Sequence, residues 1–415
     1  MKRRLSVLSA VLVVGVVVCA PAAVAADPGR WRATGVSRIP LEYFQGMTSA
    51  PDRSMWFDGV ILGLYRTDPR LDERRRNEAV VPPDVTAREG YNHVGDITWD
   101  AREGGRILLP LECYYPGRAE GANSCRTGAI GVADPLTLRW RYYVKLDPAE
   151  IPKAMWAEVS PDGRRIWTSS GADLLAYRTR DVVRRRAAPA AAPIRAVRRL
   201  VGAAPGPGIT GAAFYGDRLL MATQDDTLFR VWSVDLTTGR RRLEIERTIV
   251  GESEGLDVVD ALGGVLHWIV TPFDPQGRDP TYAPPGNALL HFASTMPRRR
   301  LRLSATPRTL TVGRRTRVTF TATVRRGGRR VRVAGAVVRF DGQVERTSAA
   351  GTVHVRIRPH RAGRHRARAT RADLRPATIA LTALTPVTGR CATAICFTDH
   401  RPGIERLSAF PTGGM

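Results

Sequence analysis

The chain has 415 residues, 43% of them hydrophobic and 25% charged, enough to bury an ordinary core and too many for one small domain, so two domains are expected. With 39 Gly, 29 Pro and no long polar low-complexity tract, wholesale disorder and a coiled coil are excluded. The formal net charge of +25 comes from 64 Lys and Arg against 39 Asp and Glu, but only Lys2, Lys145 and Lys153 are lysines, a bias that reflects GC-rich coding as much as function.

In chain order, Lys2-Arg3-Arg4 is followed by an apolar run from Leu5 to Val18 and the small-residue site Ala23-Val24-Ala25. That pattern predicts a secretory signal over residues 1–25, cleaved after Ala25 or Ala26, and hence a secreted, extracytoplasmic protein. The run is shorter than the roughly 20 residues of a spanning helix. Val18, before Cys19, occupies a position where lipidation signals need a small residue.

Residues 27–297 are nearly neutral, with 33 Arg, Lys145 and Lys153 against 34 acids. Their apolar runs are short and β-like, broken by Gly, Asp and Pro, and long stretches of helical period are missing. A loose repeat recurs five times: an opening strand, an apolar strand after a turn, and a third strand ending near a polar turn. Its openings are Gln45-Gly46-Met47, Gly95-Asp96-Ile97, Glu158-Val159, Gly211-Ala212-Ala213 and Glu254-Gly255-Leu256. Turns such as Ala133-Asp134-Pro135 and Asp235-Leu236-Thr237 lead into a fourth strand. Four-stranded units with two faces to cover predict a ring, so the expected fold is an all-β β-propeller of five to seven blades. The segment around Trp31 to Ile39 either completes the last blade or belongs to a sixth. A pair of β-sandwiches is the competing architecture.

After removal of Cys19 four cysteines remain, Cys113, Cys125, Cys391 and Cys396, an even number in an oxidising compartment, which predicts two disulfides. Local pairing, Cys113 with Cys125 and Cys391 with Cys396, is the simplest of three connectivities. Neither pair has the neighbours a zinc site needs.

Residues 298–385 form the second expected domain, followed by a cysteine-containing tail over 386–415. From Arg298 to Arg375 there are 23 Arg against Asp341, Glu345 and Asp373, a net +20. Segments such as Arg317-Val318-Thr319-Phe320-Thr321-Ala322 and Thr352-Val353-His354-Val355-Arg356-Ile357 alternate polar with apolar residues at strand period, predicting a β-sandwich. That alternation places Arg317, Arg339, Arg356, Arg366 and Arg368 outward.

Ser160-Pro161-Asp162-Gly163-Arg164-Arg165-Ile166-Trp167 resembles the hairpin phrase of bacterial YVTN-type and lactonase-like propellers. Asn92-His93-Val94-Gly95-Asp96-Ile97, Leu109-Pro110-Leu111-Glu112 and Glu254-Gly255-Leu256-Asp257 look like a group of secreted bacterial propellers, and the resemblance covers about residues 45–291. The C-terminal segment, with Ala336-Val337-Val338, Asp341-Gly342 and Gly351, resembles bacterial Ig-like repeats, which implies a spacer or adhesive unit. Gluconolactonase-type propellers, similar in outline, hold a divalent ion at their blade openings. Here Gln45 stands where that pattern has Glu and Met155 where it has Asn, and only Glu254 meets an acidic position, so lactonase activity is not implied.

In a propeller the opening residues of the innermost strands meet at the axis. The candidate ligand-binding residues are therefore Gln45, Asn92, His93, Asp96, Glu158, Glu254 and Asp257, joined by Glu112 and His267. Asp96, Glu158 and Glu254 are the candidates for holding Ca²⁺, a hard ion that takes six to eight oxygen ligands. No GxSxG elbow, HExxH, phosphate loop or CxxCH haem site is present. The sequence thus points to a secreted, non-catalytic propeller that binds a ligand or protein partner and carries a cationic module for anionic cell-envelope polymers, nucleic acid being a less natural partner outside the cell. A metal-dependent hydrolase or lyase at the channel is the alternative, and a purely structural envelope protein a third reading.

Overall fold

A computed structural model describes residues 30–59, 62–113, 125–184, 192–206, 208–271 and 286–386. The expected signal segment, Cys391, Cys396 and the tail from residue 387 lie outside these residues.

Five sheets account for the N-terminal two thirds of the chain. The first strand, β1 (Trp31–Ile39), is set apart from its neighbours in sequence. Blade I contains β2 (Gly46–Ser49), β3 (Met55–Asp58), β4 (Leu64–Thr67) and β5 (Glu73–Asn77). Blade II has β6 (His93–Val94) and β7 (Thr98–Asp100) as a broken inner strand against β8 (Arg106–Glu112), then β9 (Ala129–Ala133) and β10 (Trp140–Lys145). Blade III is β11 (Glu158–Val159), β12 (Arg165–Ser170), β13 (Asp173–Arg178) and β14 (Arg198–Leu200). Blade IV is β15 (Ile209–Tyr215), β16 (Arg218–Asp225), β17 (Leu228–Asp235) and β18 (Arg241–Thr248). Blade V runs through β19 (Glu252–Val259), β20 (Val265–Thr271) and β21 (Asn287–Ser294), and β1 pairs antiparallel with β21 from Trp31↔Ser294 to Ile39↔Asn287.

The inner strands touch in a closed circuit, β2 to β7, β7 to β11, β11 to β15, β15 to β19 and β19 back to β2, so this is a five-bladed propeller. The range expected from sequence narrows to its lower bound because β1 supplies the outer strand of blade V instead of opening a sixth blade. That pairing closes the ring with the chain's own beginning and covers an otherwise bare β21 edge.

Apolar clusters fill the spaces between neighbouring blades, which is why each blade alternates poorly: both of its faces are buried. Trp56, Leu64, Ile107 and Leu109 lie between blades I and II, and Ile130, Tyr142, Ile166 and Tyr177 between II and III. Trp167, Leu174, Leu219 and Met221 join III to IV, Leu220, Phe229, Leu266 and Trp268 join IV to V, and Phe57, Met47, Ile269 and Leu289 join V to I. Trp31 of β1 is buried in the IV–V cluster, its ring edge-on to Tyr215 at 4.9 Å. A disulfide joins Cys113 to Cys125.

The C-terminal strands are β22 (Arg299–Thr306), β23 (Thr309–Thr311), β24 (Thr316–Arg326), β25 (Arg329–Arg332), β26 (Val337–Phe340), β27 (Gln343–Arg346), β28 (Thr352–Ile357), β29 (Gly363–Arg371) and β30 (Leu374–Leu384). They follow the order β25-β24-β22-β30-β29-β26-β27, with β28 beside β24 and β23 beside β30. Residues from both halves, Leu301, Val318 and Phe320 on one and Phe340, Ala367 and Leu381 on the other, meet in a single apolar cluster. The alternation read from sequence corresponds to this inward set.

Arg317, Arg356, Arg366 and Arg368 are exposed as expected. Arg339 is not: it is half-buried and donates through Nη2 to the carbonyl oxygen of Pro51 on the propeller. A strand position that faces away from its own core faces the neighbouring domain here. On the outer side of β24, register sets Arg317 opposite Arg356 and Arg325 opposite Arg330, while Arg302 and Arg332 flank Thr323. Among the described residues, the strand register places no carboxylate between these cations.

The second domain sits on one face of the propeller. Arg371 Nη1 donates to Asp217 Oδ1 at 3.0 Å, Ala372 N donates to Asp260 Oδ1 at 2.8 Å, and Arg346 Nη1 lies 3.6 Å from Asp260 Oδ2. Arg371 is 6% exposed and chelates Asp373 through Nε and Nη2, so its charge is neutralised before it is buried.

Candidate functional site

The inner strands run side by side around the axis, so their residues stack in levels. Asp96 defines the middle one. Between β6 and β7 the chain is displaced toward blade III, where Asp96 N donates to Met155 O at 2.9 Å and Ala157 N donates to Asp96 O at 3.1 Å. The Asp96 carboxylate then reaches the other three blades: Oδ1 accepts from Met47 N (3.0 Å), and Oδ2 from Ala212 N (2.8 Å) and, at the limit of hydrogen bonding, Leu256 N (3.5 Å). Only 1% of the residue is exposed. Burial pushes its pKa well above the usual carboxylate range, and the backbone N–H groups of Ala212 and Met47 oppose that rise.

Such close approach requires residues without side chains. A Cβ on Gly255 would lie 2.6 Å from Gly46 Cα and 2.8 Å from Asp96 Oδ1, and one on Gly95 would overlap the Met155 carbonyl oxygen. Beside this level Asp58 is fully buried, and its pKa is also raised well above normal by desolvation.

At the mouth formed by the beginnings of the inner strands, Gln45 links Glu254 to His93. Its Nε2 donates to Glu254 Oε2 at 2.7 Å, and its Oε1 lies 3.2 Å from His93 Nε2. His93 Nδ1 is 2.7 Å from Glu112 Oε1, and Lys153 Nζ is 3.7 Å from Glu112 Oε2. Desolvation raises the pKa of Glu254, and the neighbouring acids Glu252, Asp58, Asp96 and Glu112 add to it.

The opposite mouth, where the inner strands end, holds a different set. Thr98 Oγ1 donates to Glu158 Oε2 at 2.6 Å and accepts from Val159 N at 3.2 Å, while Phe214 N donates to Glu158 Oε1 at 3.2 Å. Burial pushes the Glu158 pKa up to about 8, with the hydrogen bond from Thr98 opposing and the nearby Asp257 carboxyl reinforcing the shift. Asp257 is raised to about 7, again chiefly by burial, against a hydrogen bond from Ser49. Both carboxyls line a cavity of about 780 Å³ whose far wall is the second domain, including Arg346 and Thr347. Arg346 lies over the Trp99 ring at 5.6 Å.

The polar cluster expected at a single mouth is therefore divided along the axis. Gln45, His93, Glu112 and Glu254 come together at one mouth, Asp96 closes the middle, and Glu158 with Asp257 serves the other. Glu158 does not open its blade: Trp156 bridges Asp96, and Glu158, two residues on, lies about 6–7 Å further along the strand, level with Thr98. Asn92 is exposed, its backbone N–H donating to Glu112 O. His267 lies one strand outward on β20, buried edge-on to His291 at 4.6 Å, and burial lowers its pKa to about 3.

This division bears on Ca²⁺. Asp96 directs its oxygens at backbone N–H groups, and Glu158 and Glu254 face opposite mouths, so the three do not form the ligand set expected from sequence. Among the described residues no three His, Cys, Asp or Glu side chains are placed to hold a metal ion.

Sequence reasoning missed Ser49, Thr98, Asp58, Lys153, Asp260 and Arg346. The first two sit at the far ends of the opening strands and were legible in principle by counting strand residues from Gln45 and His93. Arg346 was not, because it arrives from a separate domain.

No known family model and no curated protein matches the sequence. Solved structures that match include a putative glucose dehydrogenase from Thermus thermophilus, with 14% identity, a TM-score of 0.37, and coverage of 62% of this chain and 99% of that one. The WD40 repeats of RRP9 match at 10% identity and a TM-score of 0.33 over 64% of this chain and 99% of theirs. A luciferin-regenerating enzyme matches at 11% and 0.34 over 62% and 94%. The fold assignment rests on the closed circuit of five sheets described above.

Proposed function

We propose that this is a secreted, non-catalytic binding protein in which the propeller carries the ligand site and the arginine-rich C-terminal domain, an Ig-like sandwich, holds the molecule on anionic polymers of the cell envelope. The observation that carries the reading is the outer side of β24. Like charges directly opposite on adjacent strands destabilise a sheet, yet Arg317/Arg356 and Arg325/Arg330 are both such pairs. A polyanion laid across them relieves the repulsion and gains charge-assisted contacts to phosphate or carboxylate groups. The Cys113–Cys125 disulfide is compatible with an extracytoplasmic location, and no helix among the described residues is long and apolar enough to cross a membrane.

The test is sedimentation of the full chain with isolated bacterial cell walls. Counterion release makes affinity fall steeply with salt, so the protein should pellet at about 50 mM NaCl and stay in solution at about 500 mM. Replacing Arg317, Arg330 and Arg356 with Gln should shift the release point to lower salt. Wild-type protein that remains in the supernatant at low salt refutes the anchoring role.

A further inference from the structure

Every blade touches the second domain at the mouth where the inner strands end. Pro51, in the turn after β2, accepts from Arg339, and Trp99 on β7 lies under Arg346. Pro161, after β11, meets Gly335; Asp217, after β15, pairs with Arg371; and Asp260, after β19, accepts from Ala372 N. Glycines permit this seat, since a Cβ on Gly335 would lie 2.6 Å from Pro161 Cβ and one on Gly264 would lie 2.7 Å from Ala372 Cβ. The contact is nonetheless polar and loosely filled. Each domain keeps its own apolar clusters, and among the described residues Ala372 is the one side chain of the second domain that joins a propeller cluster. A space of about 780 Å³ lies between the two surfaces. Polar interfaces between domains of one chain permit relative motion, and residues 295–298, between β21 and β22, supply the joint.

We propose that the second domain is a hinged cap over this mouth, seated in mild acid and released as the pH becomes weakly alkaline. The charges enclosed by the contact give it that sense. Asp100 is matched by Arg102 and Arg106, and Arg371 by Asp373 and Asp217. Asp52 and Asp162 accept from Ser54 N and Arg164 N in their own turns, and Glu345 is exposed. That leaves the carboxyls of Glu158, Asp257 and Asp260 facing one guanidinium, Arg346. Ionising all three confines two unmatched negative charges, a cost removed by protonation or by opening the space to water.

Burial accordingly raises Glu158 to about 8 and Asp257 to about 7, and raises Asp260 as well. Groups whose pKa is higher in the seated form favour seating fully below their ordinary values and cease to do so as pH passes the raised ones. Asp217 runs the other way, held low by Arg371 and Arg326, so its ion pairs persist in mild acid. Release uncovers Glu158, Asp257 and Thr98, and access to this end of the channel thereby follows pH. The device stands apart from envelope anchoring, which uses the outer side of β24.

Hydrogen exchange of the full chain, read by mass spectrometry at about pH 5.5, 7 and 8.5 and divided by the intrinsic rate at each pH, tests this. The Ala372 amide, bonded across the contact, reports release, and the amides of β20 report global unfolding. Ala372 should exchange faster than β20 at each pH, and its protection should fall about tenfold or more across the range, the effect of a single pKa unit that depends on seating. Glu158→Gln combined with Asp257→Asn, which keeps both groups neutral, should remove most of that fall. Gly264→Ala, which sets a Cβ against Ala372, should strip protection from Ala372 at every pH and leave β20 protected. The proposal is overturned if Ala372 exchanges in step with β20, if the double variant keeps the wild-type profile, or if Ala372 stays protected in Gly264→Ala. No ligand or cell wall enters the measurement, so its failure leaves the anchoring reading intact, and a failure of sedimentation leaves the cap.

Discussion

Replacing Asp96 with Ala removes a side chain that ties its own blade II to blades I, IV and V. Two well-formed hydrogen bonds are lost, from Met47 N at 3.0 Å and Ala212 N at 2.8 Å, and both donors stay buried because the inner strands cannot part to admit water. Each orphaned N–H costs about 1–3 kcal/mol, and the vacated volume adds to this, for an expected loss of about 3–5 kcal/mol. Against a total stability of about 5–15 kcal/mol this is a large fraction, equivalent to a fall of about 10 °C in melting temperature. Asp96→Asn should recover little, because its amide nitrogen would point a donor at a donor. Asp134→Ala is the control. Asp134 also accepts two backbone N–H groups, from Leu136 and Thr137, and pairs with Arg141 Nη2, but on a turn open to water, so its loss should cost less than that of Asp96. Thermal denaturation followed by circular dichroism reads all three. An Asp96→Ala protein melting within about 2 °C of wild type would refute the account of Asp96 as the axial tie.

Glu158 makes stability depend on pH. A carboxyl raised from 4.5 to about 8 in the folded state favours folding most below pH 4.5, and that contribution is lost as pH rises toward 8. Glu158→Gln should therefore flatten the decline in chemical-denaturation stability between about pH 5 and 8, by roughly 1–3 kcal/mol after allowing for water in the cavity, and parallel wild-type and variant curves would refute it. Trp31→Ala should cost about 3–5 kcal/mol in the same measurement, because Trp31 is 1% exposed in the cluster that β1 uses to close the ring; a loss below about 1 kcal/mol would deny β1 that role. Reduction of Cys113–Cys125, 12 residues apart, should lower stability by about 2–3 kcal/mol, and an unchanged melting curve with and without reductant would refute that contribution.

Much of the architecture was written locally. The runs Met55-Trp56-Phe57, Ile107-Leu108-Leu109, Ile166-Trp167 and Leu219-Leu220-Met221 are too short for helices and too apolar for strands with a solvated face, so a stack of doubly covered sheets was legible before any coordinates. The disulfide between Cys113 and Cys125 was legible for the same local reason. Closure was not, because whether Trp31 to Ile39 pairs with β21 or starts a new blade depends on how many blades complete the circle, a property of accumulated twist and packing instead of any one segment.

The site divides in the same way. Residue type and repeat position brought Gln45, His93, Glu112 and Glu254 to one mouth. The level of each side chain along the axis was decided only in three dimensions, because Gly46, Gly95 and Gly255 let the inner backbones approach until Asp96 became a tie between blades and Glu158 fell on the far side of it. Sequence placed the arginines outward on alternating strands, and this holds for Arg317, Arg356, Arg366 and Arg368. Only the docking of one domain on the other turned Arg339 toward Pro51 and set Arg346 across a cavity from Asp257, since contacts between surfaces far apart in the chain leave no trace in the period of either.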